Sequence, residues 1–389
     1  MKIAYIGNYH NHGYSVSNIG TTIVFLLSRL SEVEIIDVYC PLKNDSMKET
    51  YSSPKIKVNS IYNPNKSCSI LNYYKVNWTQ YDVVFVNSLS TSFGKSNFTN
   101  LFGMLLPLFL KRLKKRNVRL IYHNSTFTND IRKLGYNSWS DKIRFLSLKM
   151  IEICIFRNVD TFLTLKKYVD TIKKNVNNAK VSFADISSFE GISTILLNGL
   201  IDRKELIIQK KNNKIKTILL YGYWGPQKNL ELALSTLAAL RAKGHIFRLI
   251  LAGGLNSSFP SYKHYFEKLL SDYLPIIDEK IDYVEDEEVF SLFEKSDIVL
   301  IPYNSPGGHS SVFETAIFFK NYVVGIDFPE FVEQADHFPC IKLVSPEDFR
   351  NALLLALEST INQGRVISIE KHLQAALESM ERILNNSCF

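Results

Sequence analysis

Short apolar runs, separated by stretches with helical spacing, return along this chain in two series, and this alternation restricts the fold more than any other feature. The first series passes through Lys2–Ile6, Val33–Tyr39, Asp82–Asn87, Val118–Ser125 and Asp160–Leu165. The second passes through Lys216–Gly222, Arg248–Gly254, Ile281–Val284, Ile298–Ile301 and Tyr322–Ile326. Such runs predict buried strands of parallel sheets. Helical patterns lie between or after them at Ile19–Leu30, Leu101–Leu113, Lys142–Phe156, Leu230–Lys243 (closed by Gly244), Tyr262–Tyr273, Asp286–Lys295, Pro346–Thr360 and Ser368–Leu384. Strand and helix in this alternation define an α/β protein. The polar stretch Gln209–Lys214 interrupts the pattern, which restarts after it, so two domains are expected, 1–208 and 215–365, with a C-terminal helix in 366–389 packing back toward the first. A chain of 389 residues, 46% of them hydrophobic, can fill two cores. Residues 43–77 predict one weak strand around Ile56 and Val58 inside loops, and Asn175–Gly191, which lacks periodicity, predicts a surface loop.

The stretch Ile301–Ala316 carries the clearest chemistry. An apolar strand runs into Pro306-Gly307-Gly308-His309-Ser310-Ser311 and then into a helix, an arrangement that presents unpaired backbone N–H groups and a partial positive charge to an anion. Glu314 follows one turn later, where its carboxylate can accept hydrogen bonds from a vicinal diol such as ribose. The plainer alternative is an ordinary turn capped by Ser310, with Glu314 favouring the helix N-terminus.

Two other loops follow strands of the first series, at the edge where open α/β sheets bind ligands. Asn8–Ser15 contains His10, His12 and Gly13; without an accompanying carboxylate or cysteine the two histidines point to a polar ligand loop rather than a metal site. His123 closes the run Val118–Tyr122 and is placed to contact substrate, against the alternative of a satisfied structural histidine.

A net charge of +8 and a pI near 9.0 favour an acidic partner: a phosphate-bearing ligand, an anionic membrane or nucleic acid. The basic residues are dispersed and no nucleic-acid module is present, which sets nucleic acid aside. Five scattered cysteines without a C-x-x-C pair argue against a disulfide framework or zinc site, and for a reducing compartment. Met1–Gly7 predicts a strand rather than a leader, and no run reaches the roughly 20 apolar residues of a spanning helix, so a cytoplasmic protein, soluble or peripheral, is expected. Leu105–Leu113 is apolar almost all round and runs into Lys111–Arg116; it predicts either attachment to an anionic membrane surface or a buried crossover helix kinked at Pro107, with cations at its C-terminus.

Over nearly the whole chain the order of elements resembles the GT-B glycosyltransferases, and specifically their retaining family-4 group. Gly222–Asn229 resembles the opening loop of that family's donor domain, with Lys228 on the lysine that contacts the donor diphosphate. Tyr283-Val284 with Asp286–Pro302 resembles the base-contacting segment and the strand after it; the loop ending in Glu314-Thr315-Ala316 resembles the two-glutamate signature, with Glu314 on the second, ribose-holding glutamate. Tyr122-His123-Asn124 resembles the His-Asp pair of the acceptor domain, and Asn198-Gly199 the Asn-Gly before the linker. Two positions depart from the family: its first glutamate, which reads sugar hydroxyls, falls on Pro306, and its diphosphate arginine falls on Tyr223.

The resemblance implies two Rossmann-like domains facing each other across a cleft, and a hexosyltransferase that uses a nucleotide sugar as co-substrate, without a cofactor or required metal. It implies donor contacts at Gly13, Gly222, Tyr223, Lys228, Val284, Gly307, Gly308, His309, Ser310, Ser311 and Glu314, with catalytic roles for His123 and Glu314. The implied partners are a nucleotide-sugar donor, a glycan or lipid-linked acceptor, and an anionic membrane surface. A nucleotide-sugar epimerase, or a non-catalytic subunit binding glycan or nucleotide, are the rival readings, the latter motivated by Pro306.

Overall fold

A computed structural model describes residues 1–9, 15–42, 51, 53–88, 93, 96–128, 139–209, 215–256, 259–305, 310–335, 338, 340–359 and 364–385. Two compact units emerge, one formed by Met1–Asp130, Asn137–Leu196 and Lys371–Phe389, the other centred on Leu197–Glu370.

In the first unit the strands are β1 (Lys2–Ile6), β2 (Ile35–Pro41), β3 (Ile56–Tyr62), β4 (Val83–Ser88), β5 (Asn117–Tyr122), β6 (Asp160–Leu163) and β7 (Val181–Phe183). They form a parallel sheet in the order β3-β2-β1-β4-β5-β6-β7. Helices α1 (Ser15–Arg29), α2 (Asn97–Arg112), α3 (Trp139–Asn158), α4 (Lys166–Asn175) and α5 (Phe189–Leu197) connect or follow them. Every residue of β4 is buried, as expected of a central strand covered on both faces.

The second unit begins with β8 (Glu205–Gln209) and continues through β9 (Lys216–Tyr221), β10 (Phe247–Ala252), β11 (Glu279–Ile281), β12 (Ile298–Ile301), β13 (Tyr322–Ile326), β14 (Ile341–Val344) and β15 (Gly364–Ser368). Six of these form a second parallel sheet, β11-β10-β9-β12-β13-β14. Its helices are α6 (Leu230–Ala242), α7 (Lys263–Tyr273), α8 (Asp286–Lys295), α9 (Ser311–Phe318), α10 (Pro329–Gln334) and α11 (Phe349–Glu358). A final helix, α12 (Ile369–Asn385), returns to the first unit, where the Ser379 hydroxyl donates to the Asp185 carbonyl.

Both parallel sheets reverse their strand order once, between β1 and β4 in the first unit and between β9 and β12 in the second. At such a point the connections leave in opposite directions and open a crevice at the carboxyl ends of the strands.

Three departures from the sequence reading have physical causes. Asn175–Gly191 is not a surface loop: it contains β7 and the start of α5, and Val181, Ile186 and Phe189 are buried. A three-residue strand is too short to show a period. The strand expected at Ile281–Val284 lies earlier, at Glu279–Ile281, where it pairs with β10. Strands β8 and β15 pair antiparallel, with Ile207 opposite Val366, an element absent from the sequence reading because its halves are far apart in the chain.

Of the two readings of the apolar–basic segment, α2 fits the crossover helix. Met104, Leu106, Pro107 and Leu110 are buried in the core, and Lys111 reaches Asp160 at 3.5 Å, beside the buried Arg119–Asp160 pair at 2.9 Å. Among the described residues no helix is long and apolar enough to cross a membrane, and no cluster of three or more His, Cys, Asp or Glu could hold a metal. His10 and His12 lie outside the described residues.

Candidate functional site

The switch point of the second sheet brings several of the expected residues together. Gly222 follows β9 with φ +141°, and Gly253, after β10, has φ +99°; a Cβ on Gly253 would lie 2.1 Å from the Gly222 carbonyl oxygen, so only glycine permits this approach. From there the chain makes a short 3-10 turn, Pro226–Lys228, and enters α6 through Asn229 in the left-handed region. The loop after β12 is fastened to this turn by Asn304, whose N–H donates to the Gln227 carbonyl and whose Nδ2 donates to the Pro226 carbonyl, both at 3.0 Å.

This fastening sets Lys228 over Tyr303, with Nζ 3.6 Å from the ring centroid. A cation held on an aromatic face gains about 0.5–2 kcal/mol, depending on its exposure to water. The Tyr303 ring is buried and packs edge-on against Phe331, which stacks in turn on Phe313 of α9. The ammonium thus stands on an apolar wall. Among the described residues the Tyr303 hydroxyl has no hydrogen-bond partner.

Helix α9 begins beside this wall. Ser310 is its N-cap, accepting from the Phe313 N–H at 3.4 Å, while the Ser310 N–H donates to Gln334 Oε1 at 3.4 Å. The amides of Ser311 and Val312 head the helix, where the intrahelical ladder supplies no acceptor. Gly222 faces this turn, 4.0 Å from a Val312 methyl measured from the position its own Cβ would take. Glu314 is only 1% exposed and accepts from Gln334 Nε2 at 2.9 Å. Gln334 therefore bridges the cap and the carboxylate from α10. Sequence reasoning missed it, since nothing in its spacing from Glu314 marks the pairing. Tyr223 and Tyr283 are partly exposed and Val284 is buried. Gly307, Gly308 and His309, like Gly13, lie outside the described residues.

The first sheet presents a different set of groups at its own switch point. His123 follows β5, continues the ladder with its N–H to the Ser88 carbonyl (3.4 Å), and sets Nε2 2.6 Å from Asn87 Oδ1. Asn87 Nδ2 donates to the Tyr5 hydroxyl (3.1 Å), which donates to the Asn8 carbonyl (3.3 Å). The direction of this chain fixes the imidazole. The Asn8 carbonyl can only accept, so Tyr5 donates to it and receives from Asn87, whose oxygen then faces a protonated His123 Nε2. Burial pushes the Tyr5 phenol well above its ordinary value, which keeps its proton in place. Helix α1 presses on the same turn: a Cβ on Gly20 would lie 1.9 Å from the Asn8 carbonyl oxygen.

The segment after His123 is held by Glu152 of α3. Its Oε1 accepts from the Tyr122 hydroxyl (2.7 Å), its Oε2 from the hydroxyls of Ser125 (2.8 Å) and Thr126 (2.6 Å), and both oxygens from the Thr126 N–H (3.1 and 3.0 Å). Burial pushes this carboxyl above its ordinary range, against the downward pull of the donors. Asn87 and Glu152 were not singled out from sequence. Asn87 ends a central strand at the ligand edge, a signal that was available; Glu152, one charged residue among several in α3, gave none.

No family model matches the chain, and no curated protein sequence matches it. Solved structures do. Sucrose-phosphate synthase from Thermosynechococcus elongatus superposes with a TM-score of 0.63 at 13% identity, over 98% of this chain and 96% of that one. Anabaena HepE, solved in complex with UDP-glucose, gives 0.59 at 12% identity over 99% and 98%. The UDP-GlcNAc 2-epimerase from Methanocaldococcus jannaschii gives 0.57 at 14% identity over 99% and 98%. The chain has the GT-B fold, with one Rossmann-like sheet in each unit.

Proposed function

We propose that this protein is a glycosyltransferase that moves a sugar, with retention, from a nucleotide sugar to a glycan or lipid-linked acceptor, acting in the cytoplasm or at its membrane face. The observation that carries the reading is the Lys228 ammonium standing on the Tyr303 ring at the second switch point, beside the Ser310-capped start of α9. A departing nucleoside diphosphate develops negative charge, and a fixed ammonium with aligned helix amides stabilises it without reorganising during the reaction. The fold adds support, since most of the similar structures are glycosyltransferases. The Anabaena protein was solved with UDP-glucose, the donor class proposed here.

In this reading Lys228 and the amides of Ser311 and Val312 take the phosphates, and no metal is required. Glu314 holds the ribose diol, with Gln334 fixing one of its oxygens. His123 positions the donor sugar, its ring set by Asn87, and the leaving phosphate accepts the acceptor's proton.

Calorimetric titration with UDP and UMP tests the donor assignment. Charge-assisted hydrogen bonds are worth about 1.5–3 kcal/mol, roughly ten- to a hundredfold in affinity. Glu314→Ala is expected to weaken both nucleotides by similar factors in that range, and Lys228→Ala to weaken UDP much more than UMP. Equal losses in Lys228→Ala refute the diphosphate contact. If the parent binds neither nucleotide, titration with other nucleotide diphosphates decides between a different base and a failed reading. Sugar release without transfer to any acceptor favours the epimerase reading.

A further inference from the structure

The first unit carries an apolar surface that its own core leaves uncovered. Along α3, Trp139, Ile143, Leu146 and Met150 recur at the spacing of one helix face and are 75%, 54%, 62% and 63% exposed. Later in the same helix Glu152, Ile155 and Phe156 are buried, so its second half is a core element while its first half presents apolar side chains to solvent. Helix α2 packs against α3, and Arg112 at its end bonds Asn158 at the end of α3, so the two helices run in the same direction. The exposed Phe98 and Leu101 of α2 therefore lie toward the same end as the α3 stripe. Both helices follow strands of one parallel sheet, so this end is the sheet's carboxyl edge, the edge that carries His123.

We infer that this end of the first unit docks on an anionic lipid bilayer, with the α3 stripe in the interface. The argument for that occupant is charge. Lys142, Arg144 and Lys149 stand within the stripe's span, against one acidic residue there, Asp141. An apolar ridge on a helix that carries cations over the same turns matches acyl chains beneath anionic headgroups. A second copy of this chain, joined face to face about a two-fold axis, would bring two faces of like charge together. The membrane attachment expected at residues 105–116 thereby moves to another element. What distinguishes the two is the apolar surface: Met104, Leu106 and Leu110 of α2 are buried in the core, while the α3 stripe is exposed. The inference extends the lipid-facing part of the proposed function, but its test needs no sugar transfer.

The protein contains its own probe. Of its three tryptophans, Trp78 and Trp224 are 1% exposed, so changes in emission and quenching on docking report Trp139. With phosphatidylglycerol vesicles at low salt, the emission is expected to shift to the blue and to be quenched by brominated acyl chains; phosphatidylcholine vesicles should do neither. The variant Ile143→Ser/Leu146→Ser/Met150→Ser should lose both effects. Lys142→Gln/Arg144→Gln/Lys149→Gln should lower partitioning roughly a hundredfold, at about 1 kcal/mol for each cation near an anionic leaflet. If the triple serine variant fails to fold by circular dichroism, Leu146→Ser alone should lower partitioning severalfold. An unmoved Trp139 signal with phosphatidylglycerol overturns the inference, as does an equal response to phosphatidylcholine. A concentration-dependent shift without vesicles, abolished by the serine variant, assigns the face to self-association and also overturns it. UDP titration keeps the two readings separate: a serine variant that binds UDP like the parent but not vesicles supports the docking face, while vesicle binding by a parent that ignores nucleotides leaves this inference standing and removes the donor assignment.

Discussion

The two parallel sheets reverse strand order at equivalent places, yet they present opposite kinds of chemistry there. In the first unit, Tyr5, Asn87 and His123 form a directed chain of hydrogen bonds, closed in by Gly20 of α1. In the second, a lysine stands on an aromatic ring beside a helix start. The first arrangement orients groups by hydrogen-bond direction, which suits neutral hydroxyls. The second supplies positive charge over an apolar wall, which suits phosphate. One topology serves both, so the division of labour resides in the few residues that follow each strand.

The largest expected effect tests whether the first arrangement is as rigid as its hydrogen bonds imply. Glu152→Leu leaves the donors of Tyr122, Ser125 and Thr126 without their acceptor, and should cost about 3–5 kcal/mol in urea unfolding. Glu152→Gln sharpens the point through pH. The folded-state pKa of this carboxyl is raised above its unfolded value, so the parent gains stability relative to the glutamine variant as the pH falls toward the unfolded carboxyl range, and loses it as the pH rises through the folded value. Urea midpoints across the acid-to-neutral range measure this, and a constant difference would show that Glu152 titrates alike in both states.

A smaller effect separates the two sites in catalysis. His123→Ala should lower turnover by roughly tenfold or more, the order of a lost positioning contact, while UDP affinity stays near the parent value. A parallel fall in both would merge the two roles.

Tyr303 gives a finer contrast. Tyr303→Phe removes a hydroxyl that lacks a partner among the described residues and keeps the ring under Lys228, so thermal stability and UDP affinity should change by less than about 1 kcal/mol. Tyr303→Leu removes the ring face and should weaken UDP severalfold. Identical behaviour of the two variants would deny the ring any part in holding the lysine. Smallest of all, replacing Lys111, Arg112, Lys114 and Lys115 with Gln should change vesicle partitioning less than the α3 variants do, measured by Trp139 emission under the same conditions.

Much of the architecture was legible because buried parallel strands leave a direct record: Val83–Val86 and Ile298–Ile301 are apolar throughout and covered on both faces. The loop around Lys228, and the Ser310 cap that stood as the plainer reading of its turn, were legible for a related reason, since loop and cap chemistry is local. What escaped was non-local. The pairing of Ile207 with Val366 joins segments that share no sequence signal, and Glu152 finds Tyr122, Ser125 and Thr126 only because α3 packs beneath the end of β5. Composition left two readings open at α2, because an almost wholly apolar helix reads alike whether it faces lipid or a sheet. In α3, by contrast, Trp139, Ile143, Leu146 and Met150 hide among the core residues of a helix that is apolar on more than one side.

The return of α12 to the first unit has a consequence for how the protein is made. Ala376, Met380, Ile383 and Leu384 are buried side chains of that helix, and Ser379 bonds the segment before α5. On a ribosome, the strands of the first unit emerge before the second unit, but the helix that completes its surface is translated only after it. The nascent first unit therefore waits with a vacant helix-sized seat until synthesis has passed β15, and for that interval the apolar surface that α12 later covers stays exposed.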